Sequence, residues 1–448
     1  MSVHLLVLIH GMWGNPGHLS ELKRIITETY ASSSDNTQIE VLVAETNSEN
    51  STYDGIDWCG ERVAQEVADK VAELEEDGKT VERFSVTGYS LGGLIARYLI
   101  GILYQRGFFT NVAPTNFSTI ATPHIGLPRY PSFFSAVTSS LGPKLLSRTG
   151  EQFYLVDQWS ASGRPLIEVM ADPDRVFYRA LQSFQHIRIY ANAVHDMTVP
   201  YVTSAIEIED PFALHETNGI EIKFDEDYPI LIKSFEVPPT PPTPAPKPMM
   251  LSPDWWRTLK PKRPLLPPAL QLRFPFNLVL YIILPLLIPV FVSLVAVRFT
   301  LATKASRARI RLLEEDKTNT QKLIDILAEL ENKVEHAVED LVKDSSARAE
   351  PVNSPPLEEQ TIAATSSSAL DSKAEKGKAK QVAALPILMP VQVKAAGWLN
   401  QLPLKKQLAF FPDVRNAHAI IVCRDVKRFE MHRRGEGILR HWAASFVL

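Results

Sequence analysis

Arg83-Phe84-Ser85-Val86-Thr87-Gly88-Tyr89-Ser90-Leu91-Gly92-Gly93-Leu94 decides how the rest of the chain is read. An apolar, β-branched run breaks at glycine, a serine stands between two small residues, and a helix-like run continues from Gly93 to Tyr104. A nucleophile on a sharp strand-to-helix turn needs small residues two before and two after it, because side chains there would strike the neighbouring elements. Gly88 and Gly92 satisfy that need. Ser90 is therefore the candidate nucleophile, and the Leu91 amide, at the start of the helix, is placed to donate to a developing oxyanion.

Working outward, residues 1–235 alternate short apolar runs with helical stretches, which predicts a parallel sheet wrapped by helices. Strands are expected at Val3–Ile9, Ile39–Ala44, Arg83–Thr87, Asn116–Ile120 and His186–Ala191. Between the second and third, Val63, Val67, Val71 and Leu74 recur at helical spacing over Trp58–Glu76. With a nucleophile elbow in it, such a sheet is of the α/β-hydrolase class. His10-Gly11-Met12 follows the first strand, where this fold sets its second oxyanion donor. The Met12 amide is the expected donor, Gly11 allows close backbone approach, and His10 shapes the loop.

A serine hydroxyl needs a base, and the base an orienting carboxylate, which this fold supplies in the chain order nucleophile, acid, histidine. Asp196, in a loop just past the strand His186–Ala191, is preferred as the acid over Asp172, Asp174 and Asp210. His195 precedes the acid and is read as a bystander. His215, His418, His432 and His441 follow it and are the candidate bases, with His418 preferred because apolar patterning resumes around it and a strand is expected at Ala419–Cys423.

The remainder is less regular. Residues 236–273 are a proline-rich linker, and the 24 residues 274–297 carry no charge, enough to enter a bilayer. Residues 298–345 contain a heptad-like series, Leu323, Leu327, Leu330, Val334, Ala337 and Leu341, which makes a homo-oligomer through 310–345 an expectation. Residues 346–392 read as disordered, and 393–448 as the block that completes the hydrolase core and supplies the histidine. Pro285 and Pro289, with basic residues on both flanks (Lys260, Lys262, Arg263, Arg273, and Arg298, Lys304, Arg307), favour a re-entrant hairpin with both ends facing the cytosol.

A net charge of −4 and a pI near 6.3 give no general attraction to nucleic acid. The two cysteines, Cys59 and Cys423, fit neither a disulfide framework nor a metal site, and no cofactor or metal is expected. The apolar start, Val3–Ile9, lacks the basic flank and small-residue cleavage site of a signal peptide and is read as a buried strand.

Leu8-Ile9-His10-Gly11-Met12-Trp13-Gly14-Asn15, Gly88-Tyr89-Ser90-Leu91-Gly92-Gly93-Leu94, Ala121-Thr122-Pro123-His124-Ile125-Gly126 and Asn192–Pro200 occur in order. Together they resemble the serine esterases of fungi and plants, including fungal lipid-droplet phospholipases. The resemblance covers about residues 1–210 and a short segment around Asn416–Val422. It implies a Ser90–Asp196–His418 triad, with Thr122-Pro123-His124 structural. It also implies lipase-like activity on glycerolipid or phospholipid esters, and the hairpin expected at 274–297 is a geometry that suits the cytosolic face of the endoplasmic reticulum or a lipid-droplet monolayer. A protein or small-molecule deacylase or acyltransferase would use the same triad, and a non-catalytic membrane tether is the third reading.

Overall fold

The computed structural model describes residues 1–31, 37–242, 252, 276–315 and 385–448. Eight strands form one sheet: β1 (Ser2–Ile9), β2 (Gln38–Val43), β3 (Thr80–Tyr89), β4 (Ala113–Ile120), β5 (His186–Asn192), β6 (Glu221–Phe224), β7 (Leu231–Glu236) and β8 (Leu404–Ala409). Their order is β2-β1-β3-β4-β5-β8-β7-β6. The pairings from β2 through β8 are parallel, and β7 and β6 close the edge antiparallel.

The strand β1 shows why the sequence folds this way. Val3, Leu5, Val7 and Ile9 point into a core with α2 (Ile56–Glu76) and α3 (Leu91–Gln105). Leu6 and Leu8 point into a second core with α1 (Ser20–Tyr30) and the helix Glu436–Ala444. A strand covered on both faces has no polar side to show, which is why it reads as an unbroken apolar run. This doubly covered, mainly parallel sheet with its elbow at the end of β3 is an α/β-hydrolase fold. The C-terminal block belongs to it intimately, because β8 lies between β5 and β7.

Several expectations are corrected. Ala419–Cys423 is not a strand but a run of turns, buried in the second core beside Phe411 and Trp442. Short apolar runs mark burial without fixing the backbone period. Ordered structure in the C-terminal block also begins before residue 393. Ile387 pairs with Arg129, and a helix spans Pro390–Leu399 with the proline at its first position, where a missing N–H costs nothing.

Within the expected membrane segment, the described residues 276–297 do not turn back on themselves. Phe276–Glu315 is one continuous helix containing Pro285 and Pro289. Each proline removes one donor from the ladder, and their spacing of four leaves only the carbonyls of Tyr281 and Pro285 without a helical partner. The apolar part of this helix stands clear of the fold, with Ile282, Leu286 and Phe291 each about two-thirds or more exposed at 69%, 73% and 66%. It is long and apolar enough to cross a membrane. Its C-terminal part packs on the hydrolase core, burying Ala302, Thr303, Ser306 and Ile310. The heptad positions from Leu323 to Leu341, the linker from 253 to 273 and the stretch 346–384 lie outside the described residues.

Candidate active site

Three loops and one helix start converge at the ends of β1, β3 and β5. Ser90 has φ +56° and ψ −125°, a conformation non-glycine residues seldom adopt. Its amide donates to the Ile120 carbonyl at 2.9 Å, which pins the elbow to β4. A side chain at Gly88 would meet the backbone of Gly92, and one at Gly92 would meet the Ile9 carbonyl. Substitution at either glycine would therefore have to move backbone.

The loop after β1 comes up against Ser90. A Cβ at Gly11 would sit 2.7 Å from Ser90 Cβ and 3.2 Å from Ser90 Oγ, so glycine permits this approach. Among the described residues, the amides of Met12 and Leu91 donate to no backbone acceptor outside their own element. Two donors near the serine are thus available to an oxyanion. His10 is 1% exposed, its Nδ1 lies 3.0 Å from the Gly11 carbonyl, and burial holds its pKa below the ordinary value. A neutral, loop-bound imidazole fits the shaping role.

His418 reaches the serine from the far end of the chain. Its Nε2 lies 3.0 Å from Ser90 Oγ and its Nδ1 3.0 Å from Asp196 Oδ2. A carboxylate only accepts hydrogen bonds, so it selects the tautomer with hydrogen on Nδ1 and leaves Nε2 free to accept from the serine. Asp196 is held in turn by the side-chain amide of Asn192, which donates to Oδ2 at 2.8 Å, and by the amides of Thr198 and Val199, which donate to Oδ1 at 3.0 and 2.8 Å. The Tyr89 hydroxyl donates to the His418 carbonyl at 2.9 Å, and Asn416 Oδ1 accepts from the His418 and Met197 amides.

The alternatives fall elsewhere. His215 Nδ1 lies 2.9 Å from the Phe212 carbonyl, and His441 Nδ1 lies 3.0 Å from the Tyr190 hydroxyl. Asp172 accepts from Arg164, and Asp210 caps the turn at Phe212 while burial raises its carboxyl to about 6. His195 Nδ1 lies 3.0 Å from the Phe411 carbonyl. In the Thr122-Pro123-His124 loop, the His124 ring bonds Thr119, and its carbonyl accepts from the buried Arg97. Sequence reading missed Asn192, Asn416 and the Tyr89 hydroxyl. The only local hint was the type of turn, with an asparagine two residues before His418 able to accept its amide.

Residues 1–206 match the family model described as "Putative serine esterase (DUF676)". The chain is 28% identical over 221 residues to "Putative lipase C4A8.10" of Schizosaccharomyces pombe, covering 48% of this chain and 28% of that protein. It is 27% identical over 206 residues to "Putative lipase ROG1" of Saccharomyces cerevisiae, covering 45% and 28%. The chain thus spans less than a third of the length of these relatives. Among solved structures, it is similar to phospholipase PlaB from Legionella pneumophila in complex with thio-NAD, at 13% identity and a TM-score of 0.27 over 46% of this chain and 40% of that one. Residues 1–206, which carry the sheet from β1 to β5 and the elbow at Ser90, are thus similar to the family described as putative serine esterases, and the relatives matched over the same stretch are named putative lipases.

Proposed function

We propose that this chain is a serine lipase that works on a lipid surface, cleaving acyl esters of glycerolipids or glycerophospholipids through Ser90, His418 and Asp196. The observation that carries the reading is the hydrogen-bonded series from Ser90 Oγ through the His418 ring to Asp196, assembled on a strained elbow from residues more than 300 positions apart. A tether would have no need of that arrangement.

In this mechanism Ser90 Oγ attacks the ester carbonyl as His418 Nε2 takes its proton, and Asp196 stabilises the imidazolium that forms. The negative charge on the carbonyl oxygen falls to the amides of Met12 and Leu91. Collapse breaks the ester bond, and His418 returns the proton to the departing alcohol, leaving an acyl-serine. Water then repeats the attack with His418 as base, releasing the fatty acid and restoring Ser90.

The lipid surface is argued from topology. The chain leaves the sheet after β7 and returns to the same body where the long helix buries Ala302–Ile310. A single crossing by 276–297 would oblige the preceding stretch, with Lys260, Lys262, Arg263 and Arg273, to cross back, which charged side chains strongly disfavour. The apolar helix therefore lies obliquely within the cytosol-facing leaflet of a bilayer or in a droplet monolayer. In sealed microsomes, a tag inserted after Lys260 should be digested by external protease as readily as one at the N-terminus; its protection would mean a crossing.

The function is tested by fatty-acid release from mixed phospholipid and triacylglycerol vesicles. Wild-type protein should release fatty acid, and Ser90→Ala should lower the rate by ~10⁴-fold or more. Hydrolysis confined to short water-soluble esters would move the substrate to small-molecule or protein acyl groups.

A further inference from the structure

The long helix does more than project from the fold, because its base is joined to the loop that carries Met12. Trp13, the next residue, holds φ +54° and stacks its indole on Phe299, with ring centroids 5.7 Å apart and planes 8° apart. Its amide donates to Thr52 Oγ1 at 3.1 Å, and its indole N–H donates to the Tyr53 hydroxyl at 2.9 Å. Thr52 and Tyr53 belong to the short turn of helix Glu49–Tyr53. The next residue, Asp54, is fully buried and fastens the long helix to that turn. Ser306 Oγ donates to Asp54 Oδ1 at 2.6 Å, and Arg309 donates to both carboxylate oxygens at 2.8 and 3.2 Å and to the Asn50 carbonyl at 2.8 Å. Arg62 holds the same carboxylate from α2. Thr303 Oγ1 donates to the Leu145 carbonyl at 2.6 Å, tying down the end of the helix Phe133–Leu145.

We infer that Phe299 and Arg309 are positioning residues for the oxyanion loop, acting through Trp13 and Asp54, so that the lipid-facing helix holds the Met12 amide in its productive place. Trp13 is held in a left-handed conformation that is unfavourable for an L-residue, and it persists only where surrounding contacts over-determine it. Trp13 remains 47% exposed, so the fold covers it only in part, and the Phe299 ring is stacked on it. Removing that stack loosens the residue next to the donor without touching Ser90, His418 or Asp196. An oxyanion donor acts on the transition state and little on the bound ester, so the loss falls on kcat.

This inference rests on the proposed serine-esterase reading, and its test separates the two. Full-length wild type, Phe299→Ala, Arg309→Ala and the conservative Phe299→Tyr are compared, bound to phosphatidylcholine vesicles, for hydrolysis of p-nitrophenyl butyrate. Amide hydrogen exchange is followed over residues 9–15. Phe299→Ala and Arg309→Ala should lower kcat by about 10-fold or more with KM changed less than about 3-fold. They should also speed exchange at 11–14, with β1 and β3 still protected and vesicle binding intact, and Phe299→Tyr should restore both. Unchanged kcat and unchanged exchange in both alanine variants would overturn the coupling. A wild type that hydrolyses nothing would defeat the esterase reading, while the exchange measurement would still decide whether the helix holds the loop. Loss of protection throughout the sheet, unrescued by tyrosine, would show general unfolding and count against a positioning role.

Discussion

His418→Ala is expected to lower ester turnover by ~10⁴-fold or more, whereas His215→Ala leaves it within about 3-fold. Among the described residues, only the His418 ring spans the gap between Ser90 and Asp196, with 3.0 Å on either side. A methyl group there strands the Ser90 proton, since no second acceptor side chain is bonded to Ser90 Oγ among the described residues. The His215 ring instead leans on His195 at 5.4 Å and bonds the Phe212 carbonyl. Steady-state rates on one ester, with thermal unfolding of each variant as a control on folding, check the contrast. A large loss from His215→Ala with His418→Ala active would reverse the assignment.

Asp196→Asn should cost ~10³- to 10⁴-fold in kcat while leaving the fold intact, through the tautomer it imposes. An asparagine presenting its NH₂ to Nδ1 of His418 makes that nitrogen an acceptor and moves the ring hydrogen to Nε2, which can then no longer take the serine proton. If its amide turns to present oxygen to the histidine instead, the NH₂ meets the Thr198 and Val199 amides, which now donate to Oδ1. Neither orientation satisfies all partners, and the charge that stabilises the imidazolium is gone in both. A loss of less than tenfold, measured as kcat on the same ester, would remove Asp196 from the orienting role.

Much of this arrangement is legible in the amino-acid sequence, and the reasons are physical. The strand β1 lies inside a sheet covered on both faces, so its burial is written as an apolar run, and Gly88 and Gly92 mark the turn because nothing larger fits between it and β1. The antiparallel edge was illegible for the opposite reason. In β6, Glu221 and Lys223 flank Ile222, and β8 reads Leu404-Lys405-Lys406-Gln407-Leu408-Ala409, where Lys406 finds Glu207 and the Ile206 carbonyl instead of water alone. Conversely, Ala419–Cys423 looked like a strand because turns packed under Trp442 need apolar side chains too. The continuity of the long helix through Pro285 and Pro289 was likewise not visible from proline count, because two prolines four apart interrupt the ladder on one side only.

Chain order pointed to segments that the fold brings together around Ser90, while the supports came from contacts between distant segments. Asn192 ends β5 four residues before Asp196, but Asn416 reaches the Asp196 loop from the C-terminal block, and Tyr89 reaches the His418 carbonyl from the end of β3. Such side chain to backbone bonds leave no periodic trace in sequence. The same holds for Trp13 and Phe299, which meet across 286 positions of chain.

If Ser90 is the nucleophile, treating the full-length protein with a fluorophosphonate and locating the adduct by mass spectrometry should show one phosphonylated residue, Ser90, with ester hydrolysis falling in proportion to the fraction modified. Hydrolysis that persists after Ser90 is fully modified, or an adduct that blocks activity from another residue while Ser90 stays free, would contradict it.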